Sequence, residues 1–500
     1  EEGYEVILCN SNPATIMTDP SIADKIYMEP LTLEYIARIV RYERPDAIIP
    51  GLGGQTGLNL AMQLETKGIL KECPTQLLGT PGKSIELAED RELFKELCQQ
   101  LGEPVLPSMI ANSMEEGLRS AAEIGYPVVL RPAFTLGGTG GGFADNEEEF
   151  REIMKNALVL SPVHQVLVEK SIKGYKEIEY EVMRGAKDTA ITVCNMENLD
   201  PVGIHTGDSI VVCPSQTLTN KEYHMLRDSA LKLIRALKIQ GGCNVQFALD
   251  PNSFQYYLIE VNPRVSRSSA LASKASGYPI ARVSAKICIG MTLDEIMLAN
   301  TCAAFEPALD YVVTKMPRFP FDKFSDANNR LGTQMKATGE TMSVGRTFEE
   351  SLLKGIRSLE IGIHHLHMKK FDQWSKKELL RYIAIGTDDR IYAIAQLFRL
   401  GESIYEIVTA TGIDPFFIRK IRNIVGMESL LASKKMDTAA LFAAKKMGFS
   451  DNAIAAIWGV SEKAILSLRK EKNILPCYRM IDSCAGEFES YIPYFYSTYE

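Results

Sequence analysis

Alternation of apolar and polar residues predicts a β-hairpin near the middle of the chain. A first strand runs over 244–250, a Pro-Asn-Ser turn follows, and a second strand runs over 256–262 until Pro263 ends it. Because side chains alternate between the two faces of a strand, a defined set of residues should share one face. The residues expected together are Gln246 from the first strand and Leu258, Glu260 and Asn262 from the second.

This polar set predicts a site for a divalent cation. One carboxylate and two amide oxygens would converge where apolar side chains ordinarily pack. A small, incomplete set of oxygen ligands suits Mg²⁺ when nucleotide phosphates complete its coordination. Arg264 and Arg267 follow at once and are suited to an anion. The alternative interpretation is a half-exposed hairpin whose polar residues face water.

The first 83 residues alternate between strand and helix patterns, which predicts a parallel, doubly wound α/β sheet. Two glycine-rich segments there only superficially resemble nucleotide-binding loops. GLGGQTG has the wrong glycine spacing for a dinucleotide fingerprint, and GTPGKS has Leu77 where a phosphate-binding loop needs its first glycine. We interpret both as tight turns. The predicted elements are strand 4–9, helix 32–41, strand 47–50 and helix 59–67.

The pattern then changes to mixed α+β and brings in a glycine-rich segment. A predicted helix over 85–101 carries Arg91, and a strand ends at Arg131 and leads into RPAFTLGGTGGGFA. The five glycines from Gly137 to Gly142 would let backbone N–H groups approach a ligand closely. A mobile surface hairpin is the alternative, although a loop that closes over a nucleotide must also open.

Two further motifs carry candidate polar groups. The strand KEIEYEV places Glu177, Glu179 and Glu181 on one face, for which a solvated acidic face is the alternative interpretation. The segment GIHTGDS contains His205 in a glycine-flanked loop. A lone histidine is usually structural, which is the alternative interpretation, and only this setting favours a functional role.

From about residue 363 onward, helical periodicity and glycine punctuation predict an all-α module for packing or assembly. The segment HHLHMKK holds three of the six histidines but shows no carboxylate or cysteine partner nearby, so we interpret it as a surface junction. The aromatic tail YIPYFYSTYE is predicted to be a linker pressed onto another surface.

Composition narrows the class of protein. A chain of 500 residues with 46% hydrophobic and 24% charged residues predicts a globular protein of about two to four domains. The net charge of −8 favours neither nucleic acid nor an anionic membrane, and no apolar run approaches the length of a membrane span. The ten cysteines lack CxxC spacing, which indicates reduced thiols and a cytoplasmic protein. The start at Glu1 indicates a fragment or processed piece.

In their order along the chain, these motifs resemble the amino-terminal half of the carbamoyl-phosphate synthetase large subunit. The resemblance covers essentially all 500 residues, from SNPATIMTDP through ERPDAIIPGLGGQT, RPAFTLGGTGGG, GIHTGDSI, NVQFA and IEVNPRVSRSSALASKA to FYSTYE. It implies a Rossmann-like pre-ATP-grasp domain (1–83, amino-terminally truncated), an ATP-grasp carboxyphosphate-synthetic domain (84–362) and an all-α oligomerisation domain with linker (363–500). It also implies a missing carboxyl-terminal half, since no internal repeat is found.

The resemblance further implies roles for individual residues in binding ATP. It places two arginines and two glycines on the phosphates, a hinge at the adenine that acts through its backbone, a glutamate on the ribose, and a loop lining the site. The implied ATP residues are Arg91, Arg131, Gly137, Gly138, Lys170, Ile172, Glu177, Gly203, Ile204, His205, Gln246 and Glu260.

The same resemblance implies a metal site and a catalytic set. Gln246, Glu260 and Asn262 match the metal ligands, which would hold two Mg²⁺ or Mn²⁺ ions, with K⁺ as an additional candidate. Arg264 matches an arginine that faces bicarbonate and carboxyphosphate. The implied catalytic residues are Arg264, Arg267, His205 and Glu260.

The function implied is ATP-dependent phosphorylation of bicarbonate to carboxyphosphate, followed by reaction with ammonia to give carbamate, in pyrimidine and arginine biosynthesis. The implied partners are a glutaminase small subunit, the missing half and further copies of the chain through the helical domain. Two alternatives stay open at this point. One is another bicarbonate-activating ligase similar to biotin carboxylase, and the other is a non-catalytic assembly module.

Overall fold

The computed structural model describes residues 2–132, 141–161, 164–299, 301–324, 326–332, 334–487, 489 and 492–500. In the amino-terminal region the strands form two separate parallel pairs, β1–β2 and β3–β4. The parallel direction was predicted, but the division into two small sheets was not, because strands of two or three residues carry too little alternation. The elements are β1 (Ile7–Cys9), β2 (Lys25–Tyr27), α1 (Leu33–Glu43), β3 (Ala47–Ile48), α2 (Gly54–Thr66), α3 (Ile69–Glu72) and β4 (Gln76–Leu77).

A four-stranded antiparallel sheet follows, in the order β5-β8-β6-β7, and α6 and α7 pack on it through a core around Phe150. The single helix predicted over 85–101 is two helices. Asp90 separates them, because its carboxylate caps the second helix by accepting from the backbone N–H groups of Glu92 and Leu93 at 3.0 Å. The elements are α4 (Gly82–Glu89), α5 (Arg91–Gln100), β5 (Ser108–Ala111), α6 (Met114–Ile124), β6 (Val128–Pro132), β7 (Gly142–Ala144), α7 (Glu147–Leu160) and β8 (Val166–Lys170).

A seven-stranded antiparallel sheet is the largest layer, in the order β13-β12-β9-β10-β11-β14-β15. Apolar side chains of β9, β12 and β13 pack on α8, while α9 and α10 pack with β10, β11 and β14. The elements are β9 (Lys176–Arg184), β10 (Ala190–Asn198), β11 (Val211–Cys213), α8 (Asn220–Ala236), β12 (Gly241–Leu249), β13 (Tyr256–Asn262), α9 (Arg267–Ser276), α10 (Ile280–Cys288), β14 (Val312–Arg318), β15 (Gly339–Gly345) and α11 (Phe348–Ser358).

The rest of the chain is helical, as predicted, and shares one apolar core with α11 and β14. Two short antiparallel strands near the end were not predicted. Tyr496 of the aromatic tail is buried with its ring 5.6 Å from that of Tyr311, so the tail does lie against another surface. The elements are α12 (Lys376–Ile383), α13 (Arg390–Arg399), α14 (Ile404–Thr411), α15 (Pro415–Ser433), α16 (Thr438–Lys446), α17 (Asp451–Trp458), α18 (Glu462–Glu471), β16 (Cys477–Met480) and β17 (Phe495–Thr498).

Two general features bear on the predicted class. The described part of the chain contains all ten cysteines, and each is a free thiol. Across the same part, every helix is too short or too polar to cross a bilayer.

Candidate active site

The hairpin of β12 and β13 forms where it was predicted, with Gln246 directly opposite Glu260 and Asn244 opposite Asn262. One expectation about its faces is wrong. A β-bulge at Ile259 makes Leu258 pair with Phe247, so Leu258 joins the apolar core on the opposite face from Glu260. The extra residue interrupts the period-two alternation, which cannot be deduced from apolar and polar positions alone.

Asn244 orients the two amide side chains of the hairpin. Its Oδ1 accepts from Gln246 Nε2 and from Asn262 Nδ2, both at 3.4 Å. Its own Nδ2 donates to Glu179 Oε2 at 3.0 Å and to Glu181 Oε1 at 2.9 Å. Because the amide nitrogens of Gln246 and Asn262 turn towards Asn244, their oxygens point away from it. Among the described residues the Gln246 oxygen has no hydrogen-bond donor, while Asn262 Oδ1 accepts one hydrogen bond from Arg264.

Glu260 is the group that fits a cation best. Its carboxylate is exposed in the cavity and makes no hydrogen bond or ion pair with any residue that the structure describes. The described residues contain no cluster of three or more His, Cys, Asp or Glu side chains suited to a metal, so Glu260 would act with amide oxygens. One carboxylate with two amide oxygens is a donor set that suits Mg²⁺ or Mn²⁺.

A cavity of about 1280 Å³ lies between the four-stranded and seven-stranded sheets and joins these groups to the other predicted residues. One wall comes from β6 and β8, with Arg131, Glu169 and Lys170, and the opposite wall comes from β9, β12 and β13. The predicted residues that line it are Arg131, Lys170, Ile172, Glu177, Gly203, Ile204, His205, Gln246, Glu260, Asn262, Arg264 and Arg267.

The glutamates of β9 are buried, so the interpretation of a solvated acidic face is wrong. Glu177, Glu179 and Glu181 are 7%, 2% and 0% exposed. Burial raises the pKa of Glu177 to about 8, with a further contribution from the neighbouring Glu179 carboxylate. Burial likewise raises the pKa of Glu181 to about 8, against the opposing hydrogen bonds from Ser269 and Asn244.

Three arginines lie around the cavity at different depths. Arg131 Nη2 is 3.0 Å from Glu169 Oε1, which holds its guanidinium at the end of β6. Arg264 donates from Nη2 to Asn262 Oδ1 at 3.0 Å and from Nε to Gln55 Oε1 at 3.2 Å. Arg267 is exposed at the start of α9.

The turn 203–208 contributes His205 with a defined tautomer. The backbone N–H of Gly207 donates to His205 Nδ1 at 2.9 Å, so this nitrogen carries a lone pair and the proton lies on Nε2. Gly203 has a φ of +127°, a conformation that favours glycine. His205 can therefore donate one hydrogen bond from Nε2.

Lys170 lines the cavity, but its ammonium is committed elsewhere. Its Nζ donates to the carbonyl oxygens of Gly125 at 3.0 Å and of Tyr126 at 3.5 Å. A contact of the Lys170 backbone with adenine stays a prediction. Gly137, Gly138 and the side chain of Arg91 lie outside the described residues.

Sequence reasoning did not single out two residues that line the same cavity, Lys315 and Met335. Lys315 is 4% exposed on β14, and burial lowers its pKa. A lysine within the apolar run of VVTKMPR was an available signal. Met335 lies in the connection between β14 and β15, and nothing in the sequence marked it.

The histidine-rich segment lies at a second cavity, of about 1190 Å³, which contains none of the predicted site residues. His365 Nε2 is 2.7 Å from Glu428 Oε1 and His367 Nε2 is 2.7 Å from Asp372 Oδ1. His365 thus pairs with a carboxylate distant in sequence, and His367 with one just beyond the motif. Neither partner was predicted from the sequence.

The two antiparallel sheets with a polar cavity between them define an ATP-grasp protein, and solved structures agree with this class. The biotin carboxylase domain of Hydrogenobacter thermophilus 2-oxoglutarate carboxylase, solved with MgADP and bicarbonate, matches with a TM-score of 0.54 at 20% identity, covering 71% of this chain and 85% of that one. Campylobacter jejuni biotin carboxylase matches with a TM-score of 0.53 at 16% identity, covering 81% and 92%. At these identities the similarity shows the fold.

Family models identify the family. The carbamoyl phosphate synthase preATP-grasp domain matches residues 1–87, the carbamoyl-phosphate synthase L chain ATP binding domain matches 90–296, and the large-chain oligomerisation domain matches 340–473. The chain belongs to the carbamoyl-phosphate synthase large-chain family, in the domain order of its amino-terminal half. It is accordingly an ATP-grasp ligase of the carboxylase type.

Proposed function

We propose that this protein transfers the terminal phosphate of ATP to bicarbonate, giving ADP and carboxyphosphate, and that ammonia then displaces phosphate to give carbamate. These are the first steps of carbamoyl phosphate synthesis for pyrimidines and arginine. The observation that supports the proposal best is the Glu260 carboxylate, which has no hydrogen-bond or ion-pair partner among the described residues. It lies directly opposite Gln246 and in one cavity with Arg264, Lys170 and Ile172. Family membership supplies the choice of bicarbonate and ammonia.

The metal ligands would be Glu260, Gln246 and Asn262. Within the part of the chain that the structure describes, the oxygens of Glu260 and Gln246 accept no hydrogen bond and that of Asn262 accepts one. Mg²⁺ or Mn²⁺ bound there would neutralise charge on the transferring phosphate. Asn262 Oδ1 already accepts from Arg264, but a carbonyl oxygen has a second lone pair for a cation. We propose up to two divalent ions, with K⁺ as an additional candidate.

The side chains of the chain itself would orient the reactants. Arg131 would contact the phosphates, and its ion pair with Glu169 fixes where its charge lies. Arg264, held by Asn262 and Gln55, would face bicarbonate, and a guanidinium matches the planar oxygens of that anion. Glu177 would accept from the ribose hydroxyls, and His205 would donate from Nε2.

Water exclusion matters for the second step, because carboxyphosphate is a mixed anhydride that water would hydrolyse. The location of the site between two sheets suits this requirement. We further propose that a glutaminase subunit supplies ammonia, that another ATP-grasp half phosphorylates carbamate, and that the helical region joins copies of the chain.

The direct test measures ADP release from MgATP without bicarbonate, with bicarbonate, and with bicarbonate plus ammonia. We expect bicarbonate to stimulate release and ammonia to increase it further, because ammonia consumes carboxyphosphate. A preparation chelated with EDTA is the control for metal dependence. A rate of ADP release that is the same with and without bicarbonate would contradict the proposal.

The fold similarity favours one second candidate, a carboxylase that passes the activated carboxyl group to biotin. Replacing ammonia with free biotin in the ADP-release assay distinguishes the two candidates. Only the biotin-dependent carboxylase would release ADP in a biotin-dependent manner. The helical region, matched by the oligomerisation-domain model, favours the synthase.

A further inference from the structure

The turn 203–208 is held in place by groups that lie outside it. Lys315 Nζ donates to the carbonyl oxygens of Thr206 at 2.9 Å and of Gly207 at 3.2 Å. The backbone N–H of His205 donates to the carbonyl oxygen of Gly332 at 2.8 Å. Both partners belong to β14 or to the connection between β14 and β15. The position of this wall of the cavity therefore depends on that connection.

Asp208 fastens the connection to the turn. Its side chain belongs to the GIHTGDS motif, is 2% exposed and has no role in the mechanism above. The backbone N–H of Lys336 lies 2.9 Å from both carboxylate oxygens, and that of Ala337 donates to Oδ1 at 2.8 Å. A buried carboxylate with backbone donors on both oxygens fixes the orientation of the segment that supplies them.

The fastened segment presents Met335 to the cavity. Met335 Sδ accepts from Arg267 Nη1 at 3.5 Å. A Cβ atom at Gly207 would lie 2.6 Å from the same sulfur, so Met335 packs directly on the turn. Its side chain lines the cavity beside Lys315. The segment thus contacts both the turn and a predicted catalytic arginine.

The same connection is anchored to the helical region a few residues before Met335. The backbone N–H of Leu331 donates to the carbonyl oxygen of Gly386 at 2.7 Å. A Cβ atom at Gly386 would lie 2.6 Å from Ile204 Cδ1, so the turn touches the helical region as well. Between Leu331 and the start of β15 at Gly339, the Asp208 carboxylate holds residues 335–337 against the turn.

We propose that Asp208 is a positioning residue for the nucleotide site. Its carboxylate holds residues 335–337, and these keep Met335 and the turn 203–208 at the wall of the cavity. This inference rests on the proposed function only in taking the turn as part of the ATP site. Asp208 touches no reacting atom in this scheme. Substitution of Asp208 should therefore weaken the binding of nucleotide.

The test is the dissociation constant of MgATP, measured by isothermal titration calorimetry on the full chain without bicarbonate. We expect Asp208→Ala to raise it about tenfold, and Asp208→Asn, which keeps one acceptor oxygen, to raise it about threefold. Asp482→Ala is the matched control. Asp482 is also a buried aspartate whose Oδ1 accepts two backbone N–H groups, from Cys484 and Gly486, but these donors belong neither to the turn nor to residues 335–337.

Met335→Ala completes a double-mutant cycle and is also the variant to measure if Asp208→Ala does not fold. We expect Met335→Ala alone to raise the dissociation constant of MgATP about threefold. Combining it with Asp208→Ala should give no additional rise, because each change removes the same contact, that of the Met335 side chain with the turn. A purely structural role would lower the melting temperature and leave nucleotide affinity unchanged. Unchanged affinity in Asp208→Ala or Met335→Ala, or fully additive effects, would overturn the inference.

The two proposals fail differently. Absence of bicarbonate-stimulated ADP release would contradict the proposed reaction, while the binding measurement would still judge Asp208. Absence of MgATP binding by the unaltered chain would overturn both.

Discussion

Two neighbouring rows of polar side chains on the seven-stranded sheet differ in what satisfies them. On β9, Glu179 accepts from Thr206 Oγ1 at 2.6 Å and from Asn244, and Glu181 accepts from Ser269 Oγ at 2.8 Å and from Asn244. On the adjoining hairpin, Glu260 has no such partner among the described residues and faces the cavity. Asn244 lies between the rows and contacts both.

The difference shows how a strand pair separates support from binding. A buried carboxylate whose oxygens accept hydrogen bonds from the protein stabilises and orients its neighbours. A carboxylate without such hydrogen bonds can still bind a ligand. Glutamates at similar distances along adjoining strands therefore have different roles, which follow from their partners. Three substitutions test this contrast, and each should give a different kind of result.

The largest effect is expected from Glu260→Gln. It removes the free charge but keeps the shape, so bicarbonate-dependent ADP release should fall by about 10²–10³ while the circular dichroism spectrum stays the same. Steady-state kinetics with saturating Mg²⁺ would measure this. Glu34→Gln, an exposed carboxylate on α1 that is paired with Arg38, should leave the rate unchanged. A Glu260→Gln enzyme with normal turnover would remove the distinction between the two rows.

A smaller effect, on stability, is expected from Glu181→Gln. Burial raises the pKa of Glu181 from 4.5 to about 8 in the folded state, so folding favours the protonated form. Between these values the unfolded chain is ionised while the folded chain holds the proton, and the free energy of unfolding falls as pH rises, by at most about 1.4 kcal/mol per pH unit. Because glutamine cannot ionise, the free energy of unfolding of the variant should lack this contribution to its pH dependence.

Urea denaturation at pH 5.5, 7 and 8.5 measures that prediction. The variant should gain stability over the unaltered protein as pH rises towards 8, and the gain should level off above it. Glu34→Gln again serves as the control, with no such trend. A difference that stays constant across this pH range would mean that Glu181 is ionised in the folded protein.

The smallest effect is expected from Lys170→Met. The Lys170 ammonium donates to the carbonyl oxygens of Gly125 and Tyr126. Lys170 therefore resembles the hydrogen-bonded glutamates of β9, even though it lines the cavity. The dissociation constant of MgATP should change by less than about threefold, with a modest loss of stability from the two unpaired carbonyls. A loss of affinity of tenfold or more would show that the side chain contacts the nucleotide.

Sequence alone predicted the hairpin, the shared face of Gln246 and Glu260, and the helical region, because strand alternation and helical periodicity are local properties. It did not predict the bulge at Ile259, which depends on how β12 and β13 pair across the turn. It also could not tell that the acidic strand β9 is buried, since burial depends on β10 and β12 at its sides. Asp208 contacts Lys336 and Ala337, and Met335 contacts Gly207, across more than a hundred residues of sequence. No local pattern contains that information.

The most direct test of the account is whether the hairpin holds a divalent cation together with ATP. Electron paramagnetic resonance of Mn²⁺ measures bound metal without requiring turnover. The unaltered protein should bind Mn²⁺ tightly only when ATP is present, and Glu260→Gln should lose that ATP-dependent binding. Equal Mn²⁺ binding in the two proteins would contradict the assignment of Glu260, Gln246 and Asn262 as the metal site.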